Sequence, residues 1–484
     1  MTTSFLPFQP DLFSEWIVRC FAYAFIVVAL ASCMTDKNES ADERPNILFF
    51  LIDDQRNDQM ACAGHPFVQT PTVDKLAREG VRFTNAFVTT SICAASRASI
   101  FTGTYEYLHN HTFGKPPIRT ELVTSSYPYL LRKSGYNTGF VGKFGVKLEQ
   151  QDSLLPEMFD FYRLSPINSP YYDSLPDGTR VHSMEVKGRQ AIEYLNGLNG
   201  EQPFCLSISF NAVHAADANK RPGREGHYPY PAFADELYQD IEMPLPRLND
   251  PAIYEQHPEF LKQSLNRERF FWRWDTEEKY DTNLRAYYRM LSGYDQIMAD
   301  VLKVLEEKDF ADNTVVIYTA DNGYYMGNRG FAGKWTHYEE SLRVPMIVFD
   351  PRMDKANRGQ LVDHMALNID VPRTILSLAN VTAPQHYHGS SLVPLMDGSL
   401  SGKWRTDFFI EHRMDHPQLP KYRGMRNERY VYANYYEQEP AYEYLHDLQT
   451  DPDQLTNLAT DPSQADLLAQ MREQSLATEA KLGR

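Results

Sequence analysis

Four short apolar runs, rich in residues that favour strands, recur along the chain with helical patterns between them. They occupy residues 46–53, 137–143, 204–211 and 313–321. Near-continuous apolar runs are typical of strands that are buried on both faces of a sheet. Because such strands alternate with helices here, the pattern predicts an α/β domain in which a large, mostly parallel sheet lies between helices.

The ends of several helices are visible in the same pattern. Thr70 and Pro71 supply an N-cap residue and a proline at the first helical position, and Gly80 follows the last turn. The pattern also predicts a helix at 94–102 and a longer amphipathic helix at 286–305.

Each apolar run is followed by polar residues of chemical interest. The carboxyl ends of parallel strands meet at one edge of a sheet, where open α/β folds bind their ligands. We therefore expect the residues at these ends to form one shared site. They are Asp53 and Asp54, Lys143, His214, and Asp321 and Asn322.

The acidic and amide side chains of this set indicate a hard divalent cation. Oxygen ligands suit Ca²⁺, which takes about six to eight of them, and Mg²⁺, which demands a tighter octahedron. No histidine or cysteine cluster in the sequence has the spacing of a zinc site. The sequence predicts Ca²⁺, with Mg²⁺ as the second choice, bound by Asp53, Asp54, Asp321 and Asn322.

Four groups that carry a positive charge or a proton accompany these residues: Arg97, Lys143, His214 and Lys334. In a strongly acidic chain, such a group indicates a bound anion. The oxygens of a tetrahedral oxyanion need neutralisation while charge builds on the leaving group. Cys93 lies at the start of the predicted helix 94–102, where a helix N-terminus favours negative charge.

Composition places the chain among globular proteins, since 42% of its 484 residues are apolar and 23% are charged. A formal net charge of −16, without a basic stripe, excludes nonspecific nucleic-acid binding. Cys205 lies in an apolar run and is predicted to be buried, whereas its pairing with Cys62 stays open.

The other segments differ from the sheet-forming pattern. Residues 215–280 are rich in proline, aromatic and charged residues, and predict a long insertion over the sheet edge with few clear elements. Beyond about residue 390, short aromatic strands are predicted at 407–412 and 429–436, with a terminal helix from about Ser463. We expect a catalytic domain and a smaller α+β subdomain that completes the substrate pocket, at 45–390 and 391–484.

The first residues have the pattern of a targeting segment. Residues 16–31 are apolar apart from Arg19 and lead into Ser32-Cys33, which resembles a bacterial lipoprotein signal. A short membrane anchor is the alternative, but the apolar run is shorter than the roughly 20 residues of a spanning helix. We predict a signal at 1–33 with Cys33 lipidated, a tether at 34–44, and an exported bacterial lipoprotein, periplasmic or at the cell surface, that meets the membrane only through its lipid.

Several motifs together resemble one family. Cys93-Ala94-Ala95-Ser96-Arg97, followed by Thr102-Gly103, is similar to the signature Cys-x-Pro-Ser-Arg and Thr-Gly of the type I sulfatases, in the alkaline-phosphatase superfamily. The resemblance extends to bacterial polysaccharide sulfatases and spans nearly the whole chain after the targeting segment. Further matching motifs lie at 70–77, 142–143, 211–214, 321–323, 333–335, 343–345 and 447–458.

The resemblance implies an alkaline-phosphatase-like fold and a sulfuric ester hydrolase. It also implies that a maturation enzyme converts Cys93 to formylglycine, whose hydrate attacks the sulfur of a sulfate ester. The metal ligands would be the formylglycine with Asp53, Asp54, Asp321 and Asn322.

The resemblance assigns roles to the cationic residues as well. Arg97 would steady the formylglycine, while Lys143 and Lys334 would neutralise the sulfate oxygens. His214 would protonate the leaving alcohol oxygen. The predicted substrate is a sulfated sugar derived from an algal or animal polysaccharide, with candidate contacts at His109, His111, Arg221, Arg224 and Arg423.

Two positions depart from the family pattern. Ala95 stands where proline is usual, a variant that the modification motif tolerates. Gly145 stands where a histidine commonly assists the formylglycine. Lys147, His109 and His111 are candidates to replace that histidine. Two alternative functions remain open: hydrolysis of phosphate or phosphonate esters, and noncatalytic glycan binding by a lipoprotein. The sequence does not predict the oligomeric state.

Overall fold

The computed structural model describes residues 1–4, 44–166, 169–174, 177–218 and 226–482. The chain forms two compact units, Met1–Glu43 and Arg44–Arg484. Nearly all of the first unit lies outside the described residues, so the signal, the tether and the lipidation of Cys33 stay predictions. Among the helices that are described, none combines the length and apolarity needed to cross a membrane.

The strands of the described chain are numbered in chain order. They are β1 Asn46–Ile52, β2 Val81–Phe83, β3 Ala86–Phe87, β4 Asn137–Lys143, β5 Phe161–Ser165, β6 Tyr172–Ser174, β7 Arg180–His182, β8 Phe204–Ser209, β9 Thr314–Ala320, β10 Tyr325–Met326, β11 Ala332–Gly333, β12 Met346–Phe349, β13 Gln360–Val362, β14 Ala366–Leu367, β15 Asp407–His412, β16 Tyr422–Asn427, β17 Tyr430–Tyr435 and β18 Tyr442–Asp447.

The largest sheet has eight strands in the order β13-β2-β12-β9-β1-β8-β4-β5. β12 runs antiparallel to both of its neighbours, and all the other pairings are parallel. The four apolar runs of the sequence form β1, β4, β8 and β9, which lie side by side and are buried almost throughout. The predicted mixed, mostly parallel sheet is therefore confirmed.

Helices flank this sheet, and short 3-10 turns join several elements. The α-helices are α1 Pro71–Glu79, α2 Cys93–Thr102, α3 Glu106–His109, α4 Thr120–Val123, α5 Tyr127–Lys133, α6 Gln151–Met158, α7 Ser183–Asn196, α8 Pro251–Glu255, α9 Glu259–Lys262, α10 Leu265–Arg273, α11 Glu277–Glu307, α12 Glu339–Leu342, α13 Asp370–Leu378, α14 Val393–Met396 and α15 Ala465–Leu482. The 3-10 turns are Ala61–Ala63, Ala232–Ala234, Ala311–Asn313, Asn328–Gly330, Lys355–Asn357, Leu458–Thr460 and Pro462–Gln464.

A second, antiparallel sheet in the order β15-β16-β17-β18 forms the predicted C-terminal subdomain, and α15 packs against it. The Glu411 N–H of β15 donates to the Thr89 carbonyl at 3.0 Å, which joins this subdomain to the loop before α2. One apolar core extends from β1 to Leu482. The subdomain thus shares its core with the rest of Arg44–Arg484.

Two sequence expectations need correction. The insertion at 215–280 contains α8, α9 and α10, because Pro251 and Pro258 lie at helix starts, where a proline breaks no hydrogen bond. The predicted helix at 286–305 already begins at Glu277, capped by the Thr276 hydroxyl.

The three cysteines of the described chain, Cys62, Cys93 and Cys205, are free thiols. The pairing of Cys62 with Cys205, open from the sequence, therefore does not occur. Cys205 is buried in β8, as its apolar surroundings predicted.

Candidate active site

Two neighbouring parallel strands bring the oxygen-bearing residues together. β1 and β9 pair in register up to their last residues, so the residues that follow, Asp53 and Asp321, leave the sheet side by side. The next residues are also in contact, because Asn322 Nδ2 donates to Asp54 Oδ1 at 2.5 Å. All four side chains are buried, and the structure places them in one cluster at the sheet edge, where the sequence predicted a shared site.

Two lysines from other elements reach this cluster. Lys143 ends β4 and its Nζ pairs with Asp53, while Lys334 follows β11 and its Nζ pairs with Asp54. Both lysine side chains are buried. The site therefore contains compensating charges that water does not screen.

Arg97 lies on α2 and extends towards the strand ends. Its Nε donates to Asp321 Oδ2 at 2.8 Å, and its Nη1 donates to the Lys143 carbonyl at 2.7 Å. Gly145, with φ of 75°, lies directly against this side chain, and a Cβ at that position would come within 2.4 Å of Arg97 Cδ. Arg97 thus fills the space into which a side chain at position 145 would project.

The charges shift the two strand-end aspartates in opposite directions. Burial alone would raise the pKa of Asp53, but the surrounding cations, Lys143 foremost, hold it below its ordinary value. Burial and the charge of Asp53 together raise the pKa of Asp321. Two carboxylates this close both stay ionised only when further positive charge compensates them, as a bound divalent cation does.

Several buried oxygens in this cluster have no hydrogen-bond partner among the described residues: Asp53 Oδ1, Asp54 Oδ2 and Asn322 Oδ1. Ligand atoms of Asp53, Asp54 and His214 lie within 4.8 Å of one another, as do those of Asp53, Cys93 and Asp321. Buried acceptors without donors are what a hard cation requires. The residues present therefore fit the metal that the sequence predicted.

Cys93 is the first residue of α2 and is 3% exposed. Burial raises the pKa of its thiol, although Lys143 and Lys334 oppose that effect. One residue beyond Ala94, Ala95 packs in a small apolar cluster with Ile92, Trp335 and Leu419. The alanine at the family's usual proline position thus contributes to packing around the start of α2.

His214 follows β8 and faces the carboxylates. Its Nδ1 lies 2.7 Å from the Ala215 carbonyl, which can only accept, so Nδ1 carries a proton. Its Nε2 lies 3.6 Å from Asp54 Oδ2 and 4.0 Å from Asp217 Oδ2. Burial lowers the pKa of His214 in spite of these carboxylates. Nε2 is therefore the atom that can exchange a proton with a substrate.

A cavity of about 580 Å³ opens on this site, a size common for small-ligand pockets. Asp53, Lys143 and His214 line one side, and the hairpin β6–β7 lines another. Among the described residues that line the cavity, none follows Pro229 in the sequence. The prediction that 391–484 completes the pocket therefore stays a prediction.

The histidines suggested as substrate contacts or as replacements at Gly145 are engaged elsewhere. His109 Nε2 lies 3.1 Å from Ser99 Oγ, and His111 Nε2 accepts the Lys147 N–H at 3.3 Å. Both rings are buried, and neither lines the described cavity.

The structure places none of the arginines suggested as substrate contacts in the described cavity lining. Arg423 Nη1 pairs with Glu479 of α15 at 2.6 Å, away from the cavity lining. Arg221 and Arg224 lie outside the described residues. Their predicted roles gain no support from the structure.

Sequence reasoning missed a charged group beside His214. Asp217 pairs with Arg269 at 2.6 Å and with Arg273, both of α10. The Tyr171 hydroxyl donates to the His214 carbonyl. The signals available were faint: an aspartate three residues after His214, and two arginines one helical turn apart.

The geometry of the site suits a substrate that carries a tetrahedral anionic group. Buried cations would neutralise its oxygens, a cation-binding carboxylate cluster adjoins a nucleophile position, and an imidazole nitrogen lies close to both. This combination is typical of hydrolases that cleave sulfate or phosphate esters.

A family model for the sulfatases matches residues 45–381, so the chain belongs to the sulfatase family and is a sulfuric ester hydrolase. A second model, described as "N-sulphoglucosamine sulphohydrolase, C-terminal", matches residues 327–481.

The N-acetylglucosamine-6-O-sulfatase of Bacteroides thetaiotaomicron is 26% identical, over 89% of this chain and 85% of its own. A protein solved in complex with its substrate D-glucosamine-2-N,6-O-disulfate has a TM-score of 0.70 at 22% identity, over 91% of this chain and 98% of its own. The phosphonate monoester hydrolase of Agrobacterium radiobacter has a TM-score of 0.73 at 21% identity, over 91% and 96%. At these identities the two solved structures show a shared fold.

Proposed function

We propose that the protein hydrolyses sulfate esters of polysaccharide-derived oligosaccharides, with a formylglycine made from Cys93 and a bound Ca²⁺. The placement of Cys93 carries the proposal, because its Sγ lies within 4.8 Å of carboxylate oxygens of Asp53 and Asp321. A formylglycine at position 93 would, as its hydrate, supply one hydroxyl as the nucleophile for the sulfate ester and a second whose deprotonation would release sulfate and restore the aldehyde. A maturation enzyme is therefore a required partner.

Asp53, Asp54, Asp321 and Asn322 would hold the cation. The unpaired buried oxygens of Asp53, Asp54 and Asn322 support this assignment, and an all-oxygen set suits Ca²⁺ before Mg²⁺. Because the cation would share the charge of Asp53 and Asp54, the ammonium groups paired with them would become available to a substrate anion.

The other side chains would then bind the sulfate, position the strand ends and protonate the leaving group. Lys143 and Lys334 bind the sulfate oxygens, and Arg97 holds Asp321 and the strand ends in position. His214, once doubly protonated, gives the proton on Nε2 to the leaving sugar oxygen, while its Nδ1 stays hydrogen-bonded to the Ala215 carbonyl.

Two findings support a carbohydrate as the substrate. Tyrosine side chains line the cavity beside the catalytic residues, and such rings pack against sugar faces. The family relative from Bacteroides thetaiotaomicron is named for an amino-sugar sulfate. Together with the targeting pattern of residues 1–33, this favours an exported lipoprotein that acts on glycans outside the cytoplasm.

Mass spectrometry and mutation of Cys93 test the proposal. In protein from the native host, conversion of Cys93 to formylglycine lowers the mass by about 18 Da. Cys93→Ala should lower turnover of sulfated oligosaccharides by at least about 10³-fold, because the nucleophile is lost. Cys62→Ala, at a free cysteine remote from the cluster, is the control. An unmodified Cys93 in active protein, or an active Cys93→Ala variant, would refute the mechanism.

Hydrolysis of phosphate or phosphonate esters is the second candidate, and the fold shared with a phosphonate monoester hydrolase favours testing it. Matched aryl sulfate and aryl phosphonate esters would be compared by kcat/KM. We expect the sulfate ester to be preferred, since the family match is to sulfatases.

A further inference from the structure

The part of the cavity wall that the hairpin β6–β7 forms carries an arginine stacked on a tyrosine. Arg180, at the start of β7, lines the cavity and is exposed to it. Its guanidinium carbon lies 3.6 Å from the centre of the Tyr172 ring in the paired strand β6. Stacking on an aromatic face fixes the plane of an arginine while its N–H groups stay free to bind.

Charge compensation sets Arg180 apart from its neighbours. Within the described ranges, no carboxylate lies at ion-pair distance from its guanidinium. Lys143, the other lysine or arginine in the described lining, is balanced by Asp53. A positive charge that the described residues leave uncompensated in a ligand cavity favours a negative charge on the ligand.

The hairpin that carries Arg180 is held firmly. The Tyr172 hydroxyl donates to the Tyr230 carbonyl at 3.0 Å, and His182 Nε2 lies 3.0 Å from the Pro229 carbonyl. His182 also caps α7 through the Met184 N–H at 3.2 Å. Arg180 therefore projects from an anchored element, and its position relative to the reaction centre is fixed by folding.

The Tyr171 hydroxyl links this wall to the catalytic residues by donating to the carbonyls of Asn211 and His214. A substrate whose sulfate lies between Lys143 and Lys334 would thus present its other groups to a wall of fixed geometry.

We propose that Arg180 binds a second negatively charged group of the sulfated glycan, a carboxylate or another sulfate, and so selects substrates that carry more than the ester to be cleaved. The identity of the substrate rests on the proposed function, whereas the binding interaction does not depend on the chemistry at Cys93. Bidentate binding of an oxyanion by a planar guanidinium is its physical basis.

Binding measurements on the full-length Cys93→Ala variant test the proposal without turnover. Three disaccharide probes share one sulfate ester: one is otherwise neutral, one carries a uronic acid, and one carries a second sulfate. We expect at least one charged probe to bind about tenfold more tightly than the neutral probe. Adding Arg180→Gln should remove that preference, and Arg180→Lys should restore part of it.

Arg163→Gln is the matched control, because Arg163 is also exposed and stacked, 4.3 Å from the Phe161 ring, but lies outside the cavity lining. Which charged probe loses affinity identifies the recognised group.

Equal binding of all probes, or a preference that survives Arg180→Gln, would overturn the inference and leave the sulfatase proposal intact. Conversely, Arg180-dependent binding with no turnover by native, matured protein would uphold the inference and refute the proposed reaction.

Discussion

Gly145 occupies the position where type I sulfatases commonly carry a histidine, and the structure gives a steric reason for glycine. Its φ of 75° is unfavourable for residues with a Cβ, and Arg97 Cδ would lie 2.4 Å from that atom. The missing histidine is therefore accompanied by a closely packed arginine. In place of a second imidazole, Gly145 leaves the space through which the Arg97 side chain reaches Asp321.

Gly145→Ala should lower kcat by about 10- to 100-fold, because Arg97 must move and its charged hydrogen bond to Asp321 weakens. Gly114→Ala is the control, since Gly114 has a φ of 74° and no atom within 4 Å of the added Cβ. That variant should lose about 1 kcal/mol of stability and little activity. Equal activities in steady-state assays of the two variants would contradict the role assigned to the contact.

Calcium should stabilise the native protein, because it binds the folded state through oxygens that otherwise lack partners. A saturating Ca²⁺ concentration, about 100-fold above its Kd, should add about 2.7 kcal/mol, and Mg²⁺ at the same concentration less. Thermal melting with each metal after chelation measures the effect.

Asn322→Ala should diminish the metal-dependent rise in melting temperature. Asn434→Ala should not, although Asn434 Oδ1 in β17 is also buried and unpaired. A rise of the same size in both variants would argue against a cation at the strand ends.

At the scale of elements, periodic apolar runs sufficed to predict β1, β4, β8 and β9, since strands buried on both faces leave a plain signal. Because parallel strands deliver their ends to one edge, the clustering of Asp53, Asp54, Asp321 and Asn322 was predictable too. The hairpin β6–β7 was not, because its strands are only three residues long. Asp217 and Arg180 acquire meaning only through tertiary contacts that sequence spacing does not encode.

The short helix α3 and the strand β15 meet through two buried acids. Glu106 accepts the Thr90 hydroxyl at 2.7 Å, and Glu411 accepts the Tyr107 N–H at 3.1 Å. Burial and the neighbouring Glu106 raise the pKa of Glu411 to about 8. Burial likewise raises the pKa of Glu106. The pKa values of both acids are thus raised at this junction between the subdomain and the rest of the chain.

The junction should make stability depend on pH. A folded-state pKa above the ordinary 4.5 means that the contribution is fully present below about pH 4.5 and is lost as the pH rises through about 8. Glu411→Gln removes this titration, so its melting temperature relative to native protein should increase between about pH 5 and 8 and then level off, by roughly 1–3 °C in all. Glu473→Gln, on exposed α15 surface, is the control. A constant difference across this range would refute the assignment.

At the scale of the whole molecule, the eight-stranded and four-stranded sheets of Arg44–Arg484 belong to one compact unit and share one apolar core. Trp404, within the predicted subdomain 391–484, donates its indole N–H to the Met365 carbonyl at 2.8 Å, across the predicted boundary. Such links favour unfolding of both sheets together.

We therefore expect a single calorimetric transition, with the amides of β17 losing hydrogen-exchange protection at the same denaturant concentration as those of β1. Hydrogen exchange followed by mass spectrometry resolves the two strands. Separate transitions, with β17 opening first, would show that 391–484 is an independent domain.

The anchoring of the hairpin β6–β7 has a consequence for how the substrate specificity of such a protein can change. Its bonds to the loops that carry His214 and Tyr230 end on main-chain carbonyls, which every amino acid possesses. Those bonds depend on the Tyr171 and Tyr172 hydroxyls, so the other side chains of the hairpin, Arg180 among them, can be exchanged while the residues proposed to cleave the ester stay as they are. If Arg180 binds the glycan as proposed, ester cleavage and glycan choice are carried by separate parts of the chain, and the hairpin is a graft point for retargeting the enzyme to another sulfated glycan.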